Sequence, residues 1–326
     1  MAAIQNAIAA GAVPSHVSNV CPEGTKVYLL EVGWLESDEA WVVTGGNGSL
    51  KSTEGEVFAN KRRELPMYCV LIDHPLEGLI LWETGCGMNY PETPGGMDIF
   101  VRVRYEPKHD LTAAIAATGN KIEDVKKMQV LMTLLRNLAD YLQVSLAICI
   151  WTMLVSRLQS ILKPVTRTDA SLGGLDRFIG RKDVEIWVHD VELRSAFWSV
   201  ATGADEGVYL KDYLDLSLNW KTFDERTIDF CQGITLHHLP GHTEGLVGMQ
   251  LNLLNSGTFF FISDHCHVIE NVNKKFRNLR SKLTRTAVAR WNSPGMARTK
   301  SSRMVSIYTT FEAIAINHKG PRNSGT

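Results

Sequence analysis

His242 and Asp264 are the residues of this chain whose types and settings point most directly to chemistry. Leu239-Pro240-Gly241-His242-Thr243 closes an apolar run and reads as a strand ending in a Pro-Gly turn that carries a histidine outward. Further on, Phe259-Phe260-Phe261-Ile262-Ser263-Asp264 reads as a second strand ending in a carboxylate. Two strand ends that deliver an imidazole and a carboxylate to one edge suit a divalent metal such as zinc. The pair alone is too few donors for a tight site. Among the other candidates, His237 and His238 alternate across a strand, so at most one faces a common site, and a structural role is expected for either. His265 is expected to point away from the Asp264 face, and His267 to return to it. His189 reads as a neighbour of a helix cap and His109 as a surface loop residue. Cys266 reads as structural, and Asp73 and Asp190 as turn and capping residues.

The elements that must position these groups follow from periodicity. Val27 to Val32 reads as a strand, as do Trp41, Val42 and Val43, the two separated by an acidic turn. Residues 67–73 and 79–83 form a hairpin around Pro75 and Gly78. Asp110 can cap a helix over 111–117, and 122–128 suggests a short second helix. Residues 184–188 read as a strand followed by a helix from Asp190 to about Ala201. Strands over 233–239, 246–253 and 258–263 complete the second half.

Bulk properties suit a globular protein and say little more. The chain has 326 residues, ample for a packed core, and a net charge of -1, which gives no reason to expect nucleic acid as a partner. Six cysteines without paired spacing read as reduced thiols in a cytoplasmic setting. Residues 1–20 lack a basic segment followed by a sustained apolar one, which argues against secretion. The uncharged run 141–156 falls short of the ~20 residues a membrane span needs, so no membrane role is expected.

The chain resembles the metallo-β-lactamase superfamily, and most closely its N-acyl-homoserine lactonase branch of quorum-quenching enzymes. The likeness is carried by Leu65-Pro66-Met67-Tyr68-Cys69-Val70-Leu71-Ile72 with Ile80-Leu81-Trp82-Glu83-Thr84-Gly85, by Leu239-Pro240-Gly241-His242-Thr243 and by Ile262-Ser263-Asp264, with Gly173-Gly174-Leu175 and 184–188 in support. The resemblance implies an α+β fold, the αββα sandwich, over residues 24–271, and a dinuclear zinc site on the sheet edge. By it, His242 is a metal ligand, Asp264 bridges both metals, and His267 stands where the lactonases place a tyrosine acting on the substrate. The implied reaction opens lactone rings, N-acyl-homoserine lactones foremost, by attack of a metal-activated hydroxide. Another lactone or a thioester is the alternative substrate, and a metal-poor, inactive protein the alternative outside enzymes.

Two departures stand out. Glu83 replaces the aspartate of the family's Asp-Thr-Gly turn. No His-x-His-x-Asp-His motif, which supplies most of the family's ligands, occurs anywhere in the chain. It should lie between Lys127 and Gly173. There, codons permitted by Ala147 to Leu154, read two nucleotides later, spell His-Leu-His-Leu-Asp-His-Ala, with the aspartate forced by Trp151-Thr152. Val155 can begin with an intron donor, and Leu172-Gly173 can hold an acceptor that restores the frame at Leu175. Val272-Asn273-Lys274 can hold another donor. Asn323-Ser324-Gly325-Thr326, read one nucleotide later, permits Ile-Pro-Gly-His, the turn of the family's last ligand. We therefore read 129–172 as an insertion foreign to the family and 272–326 as an altered tail, both from retained introns.

Overall fold

Two long strands with alternating apolar residues begin the first sheet. β1 (Lys26–Asp38) and β2 (Arg62–His74) pair antiparallel, with one bulge where the register shifts between Glu31 and Gly33. The computed structural model describes residues 19–43, 61–87, 101–130, 173–203, 214, 217–272 and 303–305. β3 (Gly78–Trp82) folds back on β2 as the expected hairpin, and β4 (Val101–Arg104) lines the other side of β1. Beyond β3 the sheet continues in parallel through β5 (Val125–Gln129), β6 (Glu185–His189) and β7 (Trp220–Phe223), in the order β4-β1-β2-β3-β5-β6-β7. Because β3, β5, β6 and β7 run the same way, their C-terminal ends share one edge, where an open sheet usually places its ligand.

The second sheet is an antiparallel meander of β8 (Thr227–Cys231), β9 (Ile234–His238), β10 (Val247–Leu253) and β11 (Gly257–Phe261), with β12 (Arg303–Val305) parallel to β11. Both sheets feed one buried cluster, with Leu71, Leu81 and Ile186 from the first and Leu236, Met249 and Leu251 from the second. Ring contacts between Trp82 and Phe261, at 5.3 Å, and between Trp187 and Phe230, at 5.4 Å, join the sheets directly.

Short helices complete the described structure. After α1 (Glu39–Val42), α2 (Leu111–Ala116) packs on β1 and α3 (Asp190–Thr202) on β6. Asp110 caps α2 by accepting from the Ala113 backbone N–H, as expected from its place in the sequence. His189 is itself the N-cap of α3, its Nδ1 accepting from Val191, and Gly203 closes that helix in the left-handed region.

Three expectations are corrected. Trp41, Val42 and Val43 do not form a strand. β1 runs through the acidic residues to Asp38, whose side chain accepts from the Ala40 N–H and starts α1 instead. Residues 122–128 are not a helix: a 3-10 turn over Ile122–Asp124 leads into β5, where pairing with β3 and β6 buries Val125 and Met128. This is tertiary context overriding a weak local pattern. His109 is not a surface residue; it is 3% exposed, and its Nε2 lies 3.2 Å from Glu31 Oε1. The segment 131–172, the frame-shifted motifs and most of the tail after 272 lie outside the described residues. Among the described residues, no helix is long and apolar enough to cross a membrane.

Candidate metal centre

The loop between β9 and β10 is held shut at its base, where Leu239 N–H donates to Leu246 C=O at 2.7 Å. Inside it, Gly241 N–H donates to Thr243 C=O at 2.8 Å, and this turn presents His242. From the end of β11, Ile262 leads into a 3-10 turn over Ser263–His265 that carries Asp264. The two strand ends therefore meet as the sequence suggested: His242 Nε2 stands 3.3 Å from Asp264 Oδ2, both side chains almost fully buried.

His267 joins them. Ligand atoms of His242, Asp264 and His267 all lie within 4.8 Å of one another. The two imidazole rings meet edge to face, with centroids 5.4 Å apart. His242 and Asp264 are buried and His267 is intermediate, its imidazole Nδ1 being itself buried. The backbone here is pinned: Asn271 Oδ1 accepts from the N–H of His267 and of Val268, and Asn271 Nδ2 donates to Val42 C=O at 2.6 Å. Burial pushes the His267 imidazole down to about 4, with His265 beside it adding to the effect. The ring is thus neutral at pH 7, the form that binds metals.

Two supporting contacts were not read from the sequence. Ser263 donates its hydroxyl to Glu83 Oε1 at 3.2 Å, tying the turn that carries Asp264 to the end of β3. Glu192, buried on α3, accepts from Gly245 N–H at 3.1 Å and fixes the loop of His242. Glu83 had been singled out by its departure from a motif, but nothing local marked Ser263 or Glu192 as its counterparts across the fold.

The remaining candidates fall outside the group. His237 is buried between Gln250 Oε1, at 3.1 Å, and Thr227 Oγ1, at 3.3 Å. His238 contacts Glu244 C=O through Nε2 at 2.6 Å and stacks on His189 with ring centroids 3.8 Å apart. Neither belongs to the group of His242, Asp264 and His267. Burial pushes the Cys266 thiol up to about 12, so it stays protonated. Cys21, Cys69, Cys86 and Cys231 are free thiols as well.

Two imidazoles and a carboxylate fit one divalent ion with a position to spare, the donor set of a mononuclear site. They do not fit two. Among the described residues no other group of three or more such donors occurs, and the sequence holds no His-x-His-x-Asp-His.

No protein-family model matches the chain. The N-acyl homoserine lactonase AiiB of Rhizobium rhizogenes is 23% identical over 257 residues, covering 76% of this chain and 79% of that relative. A B. thuringiensis AiiA variant, solved with N-decanoyl-L-homoserine at its active site, superposes with a TM-score of 0.57 at 17% identity, covering 82% of this chain and 87% of the other. The dizinc quorum-quenching lactonase AidC, in complex with a homoserine product, gives a TM-score of 0.53 at 12% identity, covering 89% and 90%. A probable metal-dependent hydrolase from Staphylococcus aureus gives 0.56 at 12% identity, covering 87% and 89%. The chain has the metallo-β-lactamase fold, and among known proteins it is similar to metal-dependent hydrolases that include lactonases.

Proposed function

We propose that this chain is a metal-dependent hydrolase that opens lactone rings, with N-acyl-homoserine lactones as the substrate class. The observation that carries the reading is the convergence of His242, Asp264 and His267 on one edge of a fold shared with lactonases. A divalent ion held there would supply Lewis acidity toward a carbonyl oxygen and a water acidic enough to deprotonate near neutral pH. His242 and Asp264 would hold it, and the Ser263–Glu83 and Glu192–Gly245 hydrogen bonds keep both ligands in place. Neutral His267 has a ring N–H as well as a lone pair. The role that the family resemblance implies for His267 is to donate that N–H to the lactone carbonyl or to the ring oxygen that leaves as the alcohol.

Acyl-homoserine lactones of varied chain length, compared with other lactones and a thioester, test the substrate class. Turnover confined to homoserine lactones supports the reading; turnover of the thioester alone contradicts it. A metal-poor, inactive protein is the second reading, favoured by the absence of His-x-His-x-Asp-His from the sequence. Metal content of the purified chain separates the two.

Gln129 closes β5 and Val130 is buried in the core, so the insertion that we take as retained from the gene starts after them and runs to residue 172. Supporting this, Gln129 C=O accepts from Glu83 N–H at 3.0 Å, and Gly174 N–H donates to Gly85 C=O at 3.3 Å. Gln129 and Gly174 thus both bond to one turn, Glu83 to Gly85, close enough for a short connection to join them. We likewise take 24–271 as the catalytic domain.

A further inference from the structure

We propose that His267 is a metal ligand and that the chain as it stands binds one divalent transition-metal ion through His242, Asp264 and His267. The inference rests on the metal-dependent reading above and departs from the two-ion site and substrate-facing role that the family resemblance implies for His267. Distance is the first argument. Donors about 2.1 Å from a tetrahedral ion stand roughly 3.4 Å apart. The 3.3 Å between His242 Nε2 and Asp264 Oδ2 already meets that spacing, and the 4.8 Å limit on the whole group leaves His267 only a small side-chain rotation to make. Backbone geometry is the second. The 3-10 turn over Ser263–His265 ends at Cys266, which is extended, and the chain beyond it brings His267 back beside Asp264. Rigidity is the third: Asn271 holds the His267 backbone and is itself held by Val42, so this donor is placed before any ion arrives. Burial is the fourth, since His242 and Asp264 are enclosed and His267 Nδ1 is buried, so the donors are shielded from competing solvent.

Calorimetric titration of the metal-free full-length chain with Co2+, followed in parallel by its visible absorption, tests this. One ion per chain is expected, with affinity at least about 100-fold weaker in His267→Phe, as removal of a direct donor should cost no less than loss of its supporting contacts. His267→Asp, which returns an oxygen donor, should recover part of that loss with an altered spectrum. Unchanged affinity and spectrum in His267→Phe, or an unchanged spectrum in His267→Asp if the first variant does not fold, overturns the ligand role and leaves the metal-dependent reading standing. X-ray absorption of the zinc-loaded wild type needs no variant: two imidazoles on the ion are expected, and one contradicts the assignment. Two ions per chain overturn the one-ion count. No binding at all removes this inference and the metal-dependent reading together.

Discussion

Glu83 and Ser263 are the two non-glycine residues with left-handed backbone among those described, with φ of 68° and 48°, and one hydrogen bond of 3.2 Å joins their side chains. Each conformation costs about 1–2 kcal/mol. A hydrogen bond returns only about 1 kcal/mol, so the pair is strained on balance and is held by what surrounds it. Glu83 lies one residue past β3 and Ser263 one residue before Asp264, so the strain sits at the joint between the sheets and the candidate ligands.

Ser263→Gly removes both the strain and the hydroxyl, two effects of similar size and opposite sign. Stability in chemical denaturation should stay within about 1 kcal/mol of wild type, while zinc affinity falls about 10-fold or more because the turn carrying Asp264 loses its anchor. A change in stability of several kcal/mol, or unchanged affinity, would contradict this role.

Gly174→Ala tests the close contact of Gly174 with the turn after β3. A Cβ there would stand 2.2 Å from the Thr84 carbonyl oxygen, a rigid backbone atom. Destabilisation of about 3 kcal/mol or more is expected from such overpacking. Gly119→Ala, whose Cβ would meet nothing within 4 Å, should cost only its backbone strain, about 1–2 kcal/mol. Equal losses in the two variants would contradict the packing.

The hairpin of β2 and β3, the cap of α2 and the strands that deliver His242 and Asp264 were legible because each is a local pattern: a turn residue between apolar runs, or a capping side chain before a helix. Trp41 and Val42 were misread because the helix there is set by one side-chain contact from Asp38. β5 was misread because its conformation is set by parallel partners far away in sequence. The pairing of Ser263 with Glu83 spans 180 residues and leaves no local trace. His267 was singled out by alternation plus a turn and by the family resemblance, but its closeness to His242 came only from the fold.

His189 supplies a pH dependence. Burial, and then the His238 ring stacked on it, hold its imidazole down to about 4 from an ordinary value of 6.5. Its folded pKa lies below its unfolded one, so the unfolded chain binds more protons between these values. Its contribution to stability is complete above pH 6.5 and is lost as pH falls toward 4, on the order of a few kcal/mol. His189→Asn, which keeps a capping group, should flatten stability against pH in that window. An unchanged slope in urea denaturation from pH 7 to 4.5 would count against it.

The gene's transcript decides the insertion. Sequencing cDNA across the codons for Val130 to Gly174 should give a shorter message that encodes His-Leu-His-Leu-Asp-His-Ala before Gly173-Gly174-Leu175. A message that encodes Ala147 to Leu154 as they stand in the chain removes the spliced reading.

Asp264 is the residue on which the candidate centre turns, being buried, anchored by its neighbour Ser263 and 3.3 Å from His242. Ring opening of N-hexanoyl-homoserine lactone by the zinc-supplied protein, compared with Asp264→Ala at equal concentration near pH 7, is the most direct measurement. The wild type should open the lactone and lose that activity to a chelator, with Asp264→Ala slower by a factor of about 1000 or more, the loss of one principal transition-state contribution. Equal rates in the two proteins, or no effect of the chelator, would contradict the assignment.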